Sequence, residues 1–198
     1  TSACAPTATT GSASSITATG ATLGGTVADN GANTTVTFDY GLTTGYGSNA
    51  SATPATVSAG AGSTSVSIAV GGLSCNTTYH YRVKGVSSAG TTNGNDATFT
   101  TAACAPTATT GSASSITATG ATLGGTVADN GASTTVTFDY GLTTGYGSNA
   151  SATPATISAG AGSTSVSIAV SGLSCNTTYH YRVRGVSSAG TTNGSDAT

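Results

Sequence analysis

The chain has 198 residues, and only 5% of them are charged, against about 25% in an ordinary soluble domain. With a net charge of −2 and no Glu, Met or Trp, it carries no basic footprint for nucleic acid or an anionic membrane. No apolar run approaches the ~18–20 residues needed to span a bilayer.

Such a composition is compatible with a disordered linker, but the apolar residues are patterned rather than scattered. Cys4-Ala5-Pro6-Thr7-Ala8-Thr9-Thr10 returns as Cys104-Ala105-Pro106-Thr107-Ala108-Thr109-Thr110, a period of 100 residues. The two copies differ at Ser2/Ala102, Asn33/Ser133, Val57/Ile157, Gly71/Ser171, Lys84/Arg184 and Asn95/Ser195. That period is too long for a solenoid unit and matches a self-sufficient domain.

Within each copy the elements read as strands. Ala21-Thr22-Leu23-Gly24-Gly25-Thr26-Val27 is a weak alternating segment, and Asp29-Asn30-Gly31 follows as a turn. Val36-Thr37-Phe38-Asp39-Tyr40 places Val, Phe and Tyr on one face. Ser65-Val66-Ser67-Ile68-Ala69-Val70 repeats the pattern. Tyr79-His80-Tyr81-Arg82-Val83-Lys84 turns its aromatics and Val inward and its charged residues outward. Ser88-Ala89-Gly90 and Thr92-Asn93-Gly94 are further turns. Period-two alternation means strands with one buried face, and roughly seven short strands per copy predict a β-sandwich.

Thr1-Ser2-Ala3 corresponds to the junction Thr101-Ala102-Ala103, so residues 1–3 read as the tail of a preceding module. The second copy stops at Ala197-Thr198, where the first continues as Phe99-Thr100-Thr101. Its last strand therefore reads as truncated, and the chain as a window on a longer array. The expected modules are residues 4–101 and 104–198.

Catalytic chemistry finds no support in the pattern. His80 and His180 read as solvated strand residues with no carboxylate beside them in sequence. Asp29 and Asp39 fall in different elements, which leaves no acid/base pair. Asp29-Asn30-Gly31 offers too few acids for a tight Ca²⁺ site. Gly45-Tyr46-Gly47-Ser48 lacks the Lys and the helix of a phosphate loop. Cys4, Cys75, Cys104 and Cys175 show no zinc spacing, and an even count in a Ser/Thr-rich chain suggests disulfides. No enzyme, cofactor or metal is expected. Asn33, Asn49 and Asn76 head Asn-x-Ser/Thr triplets, and glycosylation stays open.

The segment Leu73-Ser74-Cys75-Asn76-Thr77-Thr78-Tyr79-His80-Tyr81-Arg82-Val83 resembles the corner and following strand of the fibronectin type III family, Leu-x-Pro-x-Thr-x-Tyr-x-x-Arg-Val. Ser87-Ser88-Ala89-Gly90 looks like that family's next loop, and Asp96-Ala97-Thr98-Phe99-Thr100-Thr101 like its last strand. The resemblance covers both copies and is closest to tandem modules of secreted bacterial proteins. It implies an all-β chain of two tandem immunoglobulin-like, seven-stranded sandwiches. Tyr79 and Tyr179 would be tyrosine-corner residues, their hydroxyls bonded to upstream backbone. Two departures stand out. Gly25 occupies the position of a usual buried Trp, leaving Tyr40, Tyr81, Phe38 and aliphatics to fill the core. Cys75 stands where the family has Pro.

The implied topology also bears on the cysteines. Pairing within a module, Cys4 with Cys75 and Cys104 with Cys175, would join opposite poles about 25–30 Å apart, whereas a disulfide tolerates about 7 Å between Cα atoms. Cys104 follows the last strand and emerges beside Cys75. The expected bond is Cys75–Cys104, between modules, with Cys4 and Cys175 reserved for neighbouring modules. The expected function is a disulfide-stiffened repeat of a secreted bacterial filament, stalk or matrix at the cell surface, with neighbouring modules as partners. The alternative is an adhesin or a carbohydrate-associated binding or spacer module.

Overall fold

The computed structural model describes residues 2–198, and no helix occurs among them. The expected tail at residues 1–3 begins at Thr1, which lies outside the described residues. The chain divides into two compact units, one ending at Ala102 and the other beginning at Ala103.

The first unit contains β1 (Thr7–Thr10), β2 (Gly20–Ala28), β3 (Thr34–Gly41), β4 (Ser48–Val57), β5 (Ser63–Gly71), β6 (Thr78–Ser87), β7 (Gly90–Asn93) and β8 (Ala97–Thr100). All pairings are antiparallel. The order is β1-β2-β5 on one side and β4-β3-β6-β7 on the other, with β8 also along β6. β4 links the two sides. It pairs with β3 on either side of a register shift, Thr35↔Thr56 and Thr37↔Ser51. Between those points it touches β5 through Thr53↔Ser67.

Eight strands appear in this unit where seven are expected. β7 pairs with Lys84–Ser87 and β8 with Thr78–Tyr81 of the same partner strand. Between them the Gly94 amide donates to the Val83 carbonyl. They are two stretches of one edge strand, interrupted over residues 94–96.

Alternation places the core. Val36 and Phe38 of β3, Tyr79, Tyr81 and Val83 of β6, Val66 and Val70 of β5, and Leu23 and Val27 of β2 are buried. Tyr40, expected among them, is only partly buried and packs against the cluster from the end of β3. Gly25 serves close approach rather than bulk. A Cβ there would lie 2.9 Å from the Thr9 carbonyl oxygen and 3.2 Å from Val83 Cβ, so a side chain would push β1 away from β6. That approach is used: the Tyr81 hydroxyl donates to the Gly11 carbonyl at 2.6 Å, and the Val83 amide donates to Thr10 Oγ1 at 3.2 Å.

The second unit repeats the plan with β9 (Thr107–Thr110), β10 (Gly120–Ala128), β11 (Thr134–Gly141), β12 (Gly147–Ile157), β13 (Ser163–Ser171), β14 (His180–Ser187) and β15 (Gly190–Asn193), ordered β15-β14-β11-β12-β13-β10-β9. Where the first unit has β8, the second has a single bridge, Tyr181↔Ala197.

Candidate functional site

The cysteines lie at the two ends of each unit, so the ends are the places to look for function. At one end of the first unit, the Cys4 amide donates to the Asn30 carbonyl at 3.1 Å, and Asn30 Nδ2 donates to the Ala5 carbonyl at 2.8 Å. The neighbouring Asp29 is buried. Its carboxylate accepts the amides of Gly31 and Gly60 on Oδ2, at 2.8 Å each, and of Gly62 on Oδ1 at 2.7 Å. These bonds, Gly60's foremost, hold the carboxyl below its ordinary range. All three glycines have positive φ, between 73° and 94°, a region that disfavours side chains. Sequence reading gives Asp29 as a turn residue. Its second role, binding the β4–β5 loop, depends on residues 31 and 33 positions further on, which no local pattern reveals.

The other end is the corner from Leu73 to Tyr79. The Leu73 amide donates to the Thr19 carbonyl, beside the Gly20 end of β2, while Cys4 lies beside its Ala28 end. β2 has nine residues, so about 27–30 Å separate the ends at ~3.3 Å per residue. Asn76 adopts φ of 47°, and Thr77 Oγ1 donates to the Cys75 carbonyl at 2.7 Å. The Tyr79 hydroxyl accepts the Ser74 amide at 2.9 Å, and Tyr179 accepts that of Ser174 at 3.0 Å. Tyr79 is buried and Tyr179 half-buried.

Residues 99–102 close this corner. Phe99 stacks on Tyr79 and meets Tyr81 edge-on, at 5.7 Å in both cases. Thr101 is buried; its hydroxyl donates to the Ser74 carbonyl at 2.7 Å and accepts the Thr77 amide at 3.0 Å. Asn76 donates its amide to the Ala102 carbonyl at 2.9 Å. Cys75 and Cys104 are in disulfide-bonded form, whereas Cys4 and Cys175 are free and exposed.

A polar cluster on the side of each unit escapes the sequence. His80 Nδ1 donates to Asp96 Oδ2 at 2.8 Å, and the Tyr46 hydroxyl donates to Asp96 Oδ1 at 2.9 Å. Arg82 lies 4.7 Å from the Tyr46 ring centre and donates from Nε to Asp39 Oδ2 at 3.0 Å. Asn49 Nδ2 donates to Asp39 Oδ1 at 2.8 Å. The His80 bond, above all, lowers the Asp96 pKa. Burial, then the Asp96 carboxylate, raises that of Tyr46. His80 is therefore a hydrogen-bond partner of Asp96 rather than a solvated residue. Its carboxylate sits in the interruption between β7 and β8, visible only once the register Tyr81↔Ala97 is known. His180, Asp196, Tyr146, Arg182, Asp139 and Asn149 repeat the cluster.

Each carboxylate oxygen in this cluster meets a donor. These bonds clasp β3, β4, β6 and the interruption at residues 94–96 together. Among the described residues no three His, Cys, Asp or Glu side chains gather as a metal site, and no helix is long and apolar enough to cross a membrane. Of the Asn-x-Ser/Thr asparagines, Asn33 Oδ1 accepts the Ala59 amide, Asn49 is held by Asp39, and Asn76 is exposed.

No family model matches the chain, and no curated protein does. Among solved structures it is similar to the sensor domain of the anti-sigma factor RsgI4 of Pseudobacteroides cellulosolvens, at 23% identity and a TM-score of 0.38, over 57% of this chain and 99% of that one. It is also similar to the FN1–FN3 domains of chicken CNTN1, at 14% identity and a TM-score of 0.45, over 94% of this chain and 63% of that one.

Proposed function

We propose that the chain is a non-catalytic structural repeat of a secreted bacterial fibre, stalk or matrix. In this reading each unit is a fibronectin type III-like sandwich, and a Cys75–Cys104 bond locks successive units. Cys4 and Cys175 form the same link to further units. One observation carries it: Cys75 is disulfide-bonded while Cys4, in the same unit, is a free thiol held at the opposite end of β2. Chain continuity adds support. Ala102 is bonded to Asn76, and Cys104 follows two residues later, within about 7 Å of chain at ~3.5 Å per residue.

The polar cluster favours this reading over a binding module. Tyr46, the aromatic best placed to present a flat face, has Arg82 over its ring and Asp96 on its hydroxyl. A bond between units would stop the junction from lengthening under tension, which suits a load-bearing array in an oxidising compartment.

Peptide mapping without reductant tests the link. The expected product joins the Cys75 and Cys104 peptides, with Cys4 and Cys175 alkylated. A Cys4–Cys75 or Cys104–Cys175 product overturns the reading. Under oxidation the chain is expected to form end-to-end oligomers through Cys4 and Cys175, which reductant reverses.

A further inference from the structure

The sequence contains four Asn-Gly pairs, Asn30-Gly31, Asn93-Gly94, Asn130-Gly131 and Asn193-Gly194. This dipeptide is the most prone to rearrange, because a glycine without a side chain lets its amide nitrogen reach the asparagine side-chain carbonyl. The fold needs it nevertheless. The Ala32 amide donates to the Asp29 carbonyl at 3.2 Å, closing a turn whose central residues are Asn30 and Gly31, with φ of 47° and 94°. Positive φ at both central positions is the geometry that selects Asn-Gly.

In all four pairs the glycine amide is engaged, but by two kinds of acceptor. Gly94 and Gly194 donate to the main-chain carbonyls of Val83 and Val183, each at 2.8 Å. Gly31 and Gly131 donate to Oδ2 of Asp29 and Asp129, at 2.8 and 2.9 Å. These two carboxylates are buried. They are ionised at neutral pH, since backbone amides hold them below their ordinary range. The asparagine is tethered as well: Asn30 Nδ2 donates to the Ala5 carbonyl and Asn130 Nδ2 to that of Ala105, both at 2.8 Å.

We propose that Asn30 and Asn130 are latent sites of main-chain isomerisation, each kept unreactive by the carboxylate of the aspartate before it. The reaction requires the glycine nitrogen to lose its proton and attack Cγ of the asparagine. A C–N bond forms, the side-chain amide leaves as ammonia carrying that proton, and a five-membered succinimide results. Water then opens the ring at either carbonyl, leaving aspartate or isoaspartate. An anion 2.8 Å from the Gly31 nitrogen holds the proton in place and opposes the negative charge that its loss would create. Isoaspartate adds one carbon to the main chain, inside the turn whose carbonyl accepts the Cys4 amide, or in the second unit the Cys104 amide. Rearrangement therefore loosens the hold on the segment that carries each of these cysteines.

The test ages the full chain and its Asp29→Ala variant at mildly alkaline pH, then maps aspartate and isoaspartate by tandem mass spectrometry. The chain unfolded in urea gives the unprotected rate. Asn30 and Asn130 are expected to react at least about tenfold more slowly in the folded chain, the ratio for one hydrogen bond to a charged group. In Asp29→Ala, Asn30 should accelerate by a similar factor, while Asn130 in the same molecule stays slow. Asn93 should also stay slow, because Val83 holds its glycine, and it thereby reports that the first unit remains folded. Asp29→Asn, which keeps one acceptor oxygen, should give an intermediate rate at Asn30. The proposal is overturned if Asn30 keeps its original rate in both variants, or if folded and unfolded chains react alike there. Joint acceleration of Asn30 and Asn93 in both variants also overturns it, because folding as a whole would then protect the pair rather than the carboxylate.

Discussion

The segments Leu73–Tyr79 and Leu173–Tyr179 are identical in sequence but differ in their order. Leu73 and Tyr79 are buried; Leu173 and Tyr179 are half-buried. β6 begins at Thr78 and β14 at His180. The hydroxyl bond from tyrosine to the backbone five residues upstream is nevertheless the same in both. The local sequence thus makes the turn and its hydrogen bond, while burial and the first two residues of the strand accompany residues 99–102. The comparison separates a local contribution from a tertiary one without any substitution, as expected where packing rather than propensity stabilises strands.

The strongest way to break the comparison is Phe99→Ala. Phe99 is 5% exposed and touches both corner tyrosines, so its loss removes the tertiary contribution and leaves the local one. The first unit is expected to lose about 3–5 kcal/mol. If the units unfold in separate denaturant transitions, the first should move to or below the second, while the second stays in place. A shift of less than about 1 kcal/mol would mean that the corner holds itself.

Acid should treat the two units alike. Asp29 and Asp129 are both held below the ordinary carboxylate value of 3.8, by the amides of Gly60 and Gly160 foremost. For a carboxyl depressed on folding, the stabilisation is complete above its unfolded pKa. It is lost as pH falls through that value towards the folded one. Both units should therefore weaken together below about pH 3.8. Asp29→Asn should destabilise the first unit at neutral pH, since one amide oxygen cannot replace two carboxylate oxygens serving three donors. It should also flatten that unit's acid response and leave the second unit's intact. Denaturation midpoints measured from pH 6 to pH 2 would show both effects.

The strands with clean alternation are legible in the sequence because one face of each is buried. Val36 and Phe38, and Tyr79, Tyr81 and Val83, fall inward with the expected period. β4 is not legible. Its inward residues are Ala52 and Val57, separated by the shift that carries the strand from β3 towards β5, and an interrupted period leaves nothing to count. Tyr81 reads only as an inward aromatic; its bond to Gly11 spans 70 residues. The same holds for the clasp of His80 on Asp96. The residue types are visible, but their meeting depends on where one edge strand breaks. The opposite placement of Cys4 and Cys75 follows from strand directions alone, so the resemblance can anticipate it without knowledge of any side-chain contact.

The smallest expected effect gives the finest comparison. Tyr79→Phe and Tyr179→Phe delete the same hydroxyl from the same turn, and ring packing is unchanged by either. In the first unit the Ser74 amide is part-buried where it meets the hydroxyl, whereas in the second the Ser174 amide is exposed. An amide left without its acceptor costs most where water cannot reach it. Tyr79→Phe should therefore cost about 1–1.5 kcal/mol and Tyr179→Phe about 0.5 kcal/mol or less. The difference, read from two denaturation midpoints, measures what residues 99–102 add to that bond by packing around it. Equal losses would mean that water reaches both turns equally and that closing the corner contributes packing alone. A larger loss at Tyr179 would mean that its half-buried ring depends on the hydroxyl for its position, which reverses the order of local and tertiary contributions inferred from the two corners.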